Sequence, residues 1–276
     1  MLPIYLCLRM ISSYLVQIKV SLFDTKYSGL WVPSKDCDVS QPACSEHNKN
    51  DNTMSLSYVR HGLPFLSIDT IRIGRFILKS QTFGEVFNFH PTMFWSQWDG
   101  VLRMGYPALS LFNETPTIVS KNEIHEKIVA PTFSFYLNRK HNLHSNGELL
   151  LGGTNPSRYE GELTYVDVTR QKYWQFKIDK IKTERNTFCS EGCQAILDTG
   201  FSMIAGPPQT IVALKLEIGF NEIVACREIP NLPHIKFVIG GKTFRLTGQD
   251  YVRKVTEDRC ICMLQSIPYN HLLKNF

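Results

Sequence analysis

Leu22-Phe23-Asp24-Thr25-Lys26-Tyr27-Ser28 and Ile196-Leu197-Asp198-Thr199-Gly200-Phe201-Ser202 follow one pattern: two apolar residues, Asp, Thr, a variable position, an aromatic residue and Ser. The copies lie 174 residues apart, so the pattern is no solenoid period and marks one supersecondary unit used once in each half of the chain. A single Asp-Thr turn after a strand is common, because Asp favours turns. Agreement at six of seven positions, the apolar lead-ins included, goes beyond that.

Around the two units strand signals dominate. Residues 16–23, 67–73, 132–137, 148–151, 164–168, 173–181 and 235–239 are short runs rich in β-branched and aromatic side chains, most of them bounded by Gly, Pro, Asn or Asp. Helical periodicity is confined to residues 120–128 and 210–218. Many short strands with turns between them predict an all-β fold of barrels or sandwiches.

A carboxylate directly after a buried strand is costly unless it is paired or hydrogen-bonded. Two such units, one per half, predict that Asp24 and Asp198 meet where the halves join. Carboxyls that close cannot both ionise, so one proton is shared. A water between them then meets a base that takes its proton and an acid that donates to a peptide carbonyl. Thr25, Ser28, Thr199, Gly200 and Ser202 are the candidate supports of the two carboxyls. This chemistry needs no cofactor and no metal.

Composition sets the outer limits. The 276 residues are 43% hydrophobic and 20% charged, which describes a globular chain rather than a disordered one. The net charge of +5 is scattered, with no basic run or aromatic stripe, and nucleic-acid binding is not expected. No apolar run is long enough to predict a membrane span. His141 and His144 are read as part of a solvated loop rather than as metal ligands. The spacings Cys37 to Cys44 and Cys189 to Cys193 suit disulfides closing small loops, not a zinc knuckle, and point to an oxidising compartment. Asn113-Glu114-Thr115 is a glycosylation sequon. Met1 to Leu8 is apolar, but Arg9 interrupts it, and no targeting segment is read there.

At the level of motifs the chain resembles the pepsin-like aspartic peptidases, and within them the cathepsin D-like branch. Phe23-Asp24-Thr25 followed by Leu30-Trp31-Val32-Pro33-Ser34 is similar to the family's first catalytic loop, and Cys189 to Gly200 to its second. Asp99-Gly100-Val101-Leu102, Phe133-Ser134-Phe135-Tyr136-Leu137, Gly147 to Gly153 and Tyr173-Trp174-Gln175 follow the family order between them. The resemblance implies a bilobal acid-protease fold with two β-barrel-like lobes and a few short helices, residues 1–140 forming the first lobe and 141–276 the second. It implies catalysis by Asp24 and Asp198, a Ser28 bond to Asp24, a flap carrying Tyr58, a Trp31 able to hold the Tyr58 hydroxyl, and Phe201 in the substrate cleft. It also implies disulfides Cys37–Cys44, Cys189–Cys193 and Cys226–Cys262, leaving Cys7 and Cys260 unassigned. Polypeptide substrates, pepstatin-type inhibitors, a monomer and a lysosomal or extracellular site follow from the same resemblance.

The chain departs from the family at Lys26, where glycine is usual, at Arg103, again in place of glycine, and at Val59-Arg60-His61-Gly62 after the flap tyrosine. The family's apolar-Leu-Gly-Asp strand is not found after Cys262, so an incomplete second lobe and shortened ends are expected. Lys26 is expected to favour two ionised carboxylates. An aspartic endopeptidase is therefore the first reading, and an impaired homologue that only binds peptides is the alternative. A glycosidase would also use two carboxyls, with no other support in the sequence.

Overall fold

The computed structural model describes residues 5–7, 20–26, 28–60, 65–73, 76–89, 98–110, 130–137, 147–219 and 222–268. Its first sheet has seven strands: β1 (Tyr5–Cys7), β2 (Val20–Asp24), β3 (Ser28–Pro33), β4 (Val59–Arg60), β5 (Leu66–Ile73), β6 (Phe76–Val86) and β7 (Gly100–Met104), in the order β1-β2-β7-β3-β6-β5-β4. The strands β2 and β3, on either side of Asp24, do not pair with each other. β7 lies between them, parallel to β2 and antiparallel to β3, so that Leu102 is opposite both Phe23 and Leu30. Period-two alternation turns Ser28, Leu30 and Val32 of β3 inward. Phe23, Leu30, Val32, Ile71, Leu78, Phe83, Leu102 and Met104 form the core beneath.

A hairpin of β8 (Phe133–Leu137) and β9 (Gly147–Leu151) packs Phe133, Phe135, Leu149 and Leu151 against that core, and so spans the expected junction at residues 140 and 141. The remaining strands are β10 (Gln175–Ile178), β11 (Lys180–Lys182), β12 (Thr187–Phe188), β13 (Cys193–Ile196), β14 (Ile204–Gly206), β15 (Ile223–Ala225), β16 (Ile235–Ile239), β17 (Lys242–Leu246), β18 (Val252–Lys254), β19 (Arg259–Cys262) and β20 (Leu264–Ser266). They pair as β10-β13, β12-β11-β16-β17, β14-β20 and β15-β19-β18. The helix α2 (Pro208–Ile218), which follows the short α1 (Pro42–Glu46), covers their core with Ile211, Leu214 and Ile218, spaced three and four apart on one face. It stops at Gly219, whose φ of 86° lies in the left-handed region that glycine enters without penalty. The four-residue α3 (Gly248–Tyr251) begins with a capping box between Thr247 and Asp250.

The second half repeats the wiring of the first. β13 leads into the Asp198 loop as β2 leads into the Asp24 loop. β13 pairs antiparallel with β10 as β2 does with β1, and β14 pairs parallel with β20 as β3 does with β6. Among the described residues no strand lies between β13 and β14 where β7 lies in the first half. The covering differs accordingly: Phe23 is 1% exposed, while its counterpart Leu197 is 60% exposed.

The molecule is thus an all-β protein with a few short helices, and none of its sheets closes into a barrel among the described residues. Two strand expectations need correcting. Residues 164–168 form no strand: Tyr165 is 84% exposed, and β-branched residues without a partner ladder have nothing to pair with. Residues 173–181 break at Asp179, where the chain passes from the β10-β13 pair to the four-stranded sheet. There the Asp179 amide donates to Val238 O, and the Asp179 carboxylate accepts from the Gly241 amide.

Candidate active site

Each aspartate ends the same local construction. The amide two residues on bends back to its carboxylate: Lys26 N donates to Asp24 Oδ1 at 2.7 Å, and Gly200 N to Asp198 Oδ1 at 2.9 Å. The threonines then tie the loops together reciprocally. Thr25 Oγ1 donates to Leu197 O at 2.8 Å and accepts from Thr199 N at 3.0 Å. Thr199 Oγ1 donates to Phe23 O at 2.7 Å and accepts from Thr25 N at 3.2 Å. Each hydroxyl uses its donor and an acceptor lone pair at once. The four bonds set the loops about a pseudo-two-fold axis and turn both carboxyls to the same place.

The loops touch closely. A Cβ on Gly200 would stand 2.9 Å from Asp24 Cγ. The equivalent position in the other loop is Lys26, which has a Cβ and a cation. Burial and the Asp24 charge push the Asp198 carboxyl up to about 6, while Lys26 and the Gly200 amide pull it down. Lys26 therefore acts in the expected direction but does not prevail, and Asp198 keeps a proton into weakly acidic solution. An acid that can donate beside a carboxylate that can accept is what general acid–base hydrolysis by a held water requires.

The other predicted residues fall as follows. Ser28 makes no bond to Asp24: it is buried on the inward face of β3, and its Oγ has no hydrogen-bond partner among the described residues. Tyr58 does not give its hydroxyl to Trp31; that hydroxyl goes to Ser67 Oγ at 2.8 Å and Glu85 Oε1 at 2.9 Å. Trp31 lies flat over Gly84, where an added Cβ would come within 2.6 Å of the indole, and the Arg103 guanidinium stands 5.6 Å from its ring. Phe201 and Ser202 are half-buried just after the second loop. Asn113, His141 and His144 lie outside the described residues.

Disulfides join Cys37 to Cys44, Cys189 to Cys193, and Cys226 to Cys260. The third replaces the expected Cys226–Cys262 pair, and Cys262 is a buried free thiol. The register explains the choice. Val224 faces Cys260, whereas the Cys262 amide bonds Glu222 O, four residues along from Cys226. At ~3.3 Å per residue that is about 13 Å, beyond the ~7 Å that a disulfide bridges between Cα atoms.

Two residues to which the sequence assigned no role support the site. The Trp174 indole donates to Met104 O in β7 at 2.9 Å, and the Trp174 carbonyl accepts from Leu197 N at 3.1 Å. Trp174 thereby ties the first-half sheet to the residue preceding Asp198, with Tyr106 and Phe133 packed on its ring. Glu85 is a carboxylate only 2% exposed. Its signal was an acid between the glycine and valine that close a strand.

Two matching loops that bring one carboxyl each to a common point define a carboxyl-pair site on a β scaffold. The chain matches the family description of eukaryotic aspartyl proteases over residues 16–273. It is 38% identical to cathepsin D of Clupea harengus, over 90% of this chain and 68% of that protein. It is 39% identical to cathepsin D of Chionodraco hamatus, over 86% and 64%, and 35% identical to renin of Rattus norvegicus, over 89% and 66%. The chain belongs to the eukaryotic aspartyl protease family. It spans about two thirds of the length of the curated relatives it matches.

Proposed function

We propose that this protein is an aspartic endopeptidase in which Asp24 and Asp198 activate a water against a peptide bond. The observation that carries the reading is the reciprocal Thr25–Thr199 bonding, which brings two carboxyls from matching loops together with Asp198 held protonated to about pH 6. Asp198 donates to the carbonyl oxygen and Asp24 takes the proton of the water. Polypeptides are the substrates, in a cleft between a lobe around the first core and a lobe around the second. Tyr58 and the hairpin after it form the cover, and Phe201 lines the cleft. The disulfides accord with a lysosomal or extracellular location. No described helix is long and apolar enough to cross a membrane.

A second reading, peptide binding without turnover, is favoured by Lys26, because the matching Gly200 has no room for a Cβ against Asp24. The test is cleavage of an acid-denatured protein between pH 3 and 7, with and without pepstatin, in the natural chain and in Asp24→Asn and Asp198→Asn. Pepstatin-sensitive cleavage lost in both variants is expected. Cleavage that survives both substitutions overturns the proposal, and pepstatin binding without cleavage selects the second reading.

A further inference from the structure

We propose that Glu85 is the positioning residue of the Tyr58 hairpin, an anchor that fixes the tyrosine and the strand after it; the inference rests on the reading of that hairpin as the cover of the cleft. Glu85 is the last residue but one of β6, and its carboxylate is 2% exposed. Oε2 accepts from Ser34 Oγ at 2.9 Å and Oε1 from the Tyr58 hydroxyl at 2.9 Å. The Tyr58 proton is spent on Glu85, so the contact with Ser67 Oγ at 2.8 Å has the serine donating to the phenol oxygen. The chain of donation Ser67 to Tyr58 to Glu85, met by Ser34 from the other side, runs entirely toward the acid.

A buried carboxylate is expensive to keep, and an apolar side chain of similar size would often be as stable or more so. Among the described residues no ion pair offsets Glu85; hydroxyl donors do. Removing one of those donors, or the acid itself, leaves a buried polar group unsatisfied. Tyr58 is thus held by more than packing.

What it holds is a short exposed strand. Among the described residues β4, directly after Tyr58, pairs with β5 through two residue pairs, both Val59 and Arg60 are exposed, and Arg60 reaches Asp36 at 3.9 Å on the surface. Just before Tyr58, Ser55 and Ser57 donate to Asp69 Oδ1 at 2.8 and 2.5 Å, and Asp69 too is buried. Two buried acids on neighbouring strands therefore clasp alternate sides of residues 55–58, and Glu85 takes the residue nearest the hairpin. With the clasp intact the phenol points inward and β4 is held in its pairing with β5 at the sheet edge. Without it, the described part of β4 keeps its two pairs with β5 and the exposed Arg60–Asp36 ion pair.

The test is a double-mutant cycle with Tyr58→Phe, Glu85→Leu and both together in the full chain, read by amide hydrogen exchange at Val59 and Arg60 and by pepstatin dissociation rate. Each single change is expected to speed exchange in β4 by about tenfold, as for loss of one hydrogen bond to a charged group, with exchange in β2, β3 and β7 unchanged. The double variant is expected to match the singles, because both cut one link. Glu85→Gln, which keeps the volume, covers the case in which Glu85→Leu does not fold, and is expected to give a smaller rise at the same amides. Multiplying effects, β4 exchange unchanged in the Glu85 variants, or a rise spread evenly over the sheet would overturn the proposal. Failure of the natural chain to bind pepstatin would instead count against the proposed function, and the exchange measurements would still decide the anchor.

Discussion

Gly200 stands against Asp24 so closely that a single added carbon would lie 2.9 Å from its Cγ and 3.0 Å from its Oδ1. Real Cβ atoms do not approach so near, so one of the two must move. Gly200→Ala is expected to leave the melting temperature within a few degrees and to lower kcat by about 100-fold, the scale on which a ~1 Å misplacement acts. Cleavage assays with circular dichroism melts check it. Unchanged kcat would show that the carboxyl has room to yield.

The electrostatics give a second expectation. Asp198 is lifted from an ordinary carboxyl value of 3.8 to about 6, chiefly by burial and then by Asp24. For a raised acid the folded state holds the proton longer than the unfolded chain, so its contribution to stability is complete below about pH 4 and is lost as pH rises through about 6. Lys26→Met removes a charge that pulls Asp198 down, so titration of the Asp198 carboxyl by carbon NMR should show a midpoint above that of the natural chain. A midpoint that falls would mean that Lys26 acts on the pair by another route.

The third expectation concerns the threonines. Thr25→Val and Thr199→Val each remove a donor to the other loop and an acceptor for its amide. Each should cost about 1–3 kcal/mol, and the pair less than the sum, since they share one network. Denaturant unfolding of the two singles and the double measures it.

Non-reducing peptide mapping should recover Cys226 with Cys260, and Cys262 should be alkylated only after unfolding. Cys260→Ser should cost about 3–4 kcal/mol for a loop of that length. Cys262→Ser should cost less, having no bridge to lose. Recovery of Cys226 with Cys262 would refute the register of β15 on β19.

The sequence disclosed what repeats and what alternates. The Asp-Thr units, strand 235–239 and the helix from about residue 210 could be read because each is a local pattern. The details that failed are those decided across strands. Whether Cys226 meets Cys260 or Cys262 depends on a register that shifts by two residues with no change in composition. Ser28 follows Asp24 closely in sequence, yet the pleat of β3 turns it inward. The partner of Tyr58 lies 27 residues away on β6, where nothing local names it. Residues 164–168 have the composition of a strand and lack a neighbour, which only the fold supplies.

The crossed bonds of Thr25 and Thr199 also set the order in which the molecule is built. Every one of the four spans 172 to 176 residues of chain, and closing so long a loop is a late event. During synthesis the first half emerges and folds with its aspartate loop unfastened, since the groups that fasten it have not yet been made. The carboxyl pair comes into being only when both halves are present and docked. A half-made chain carries Asp24 but no carboxyl pair, so the proposed chemistry has no site until the second half is in place.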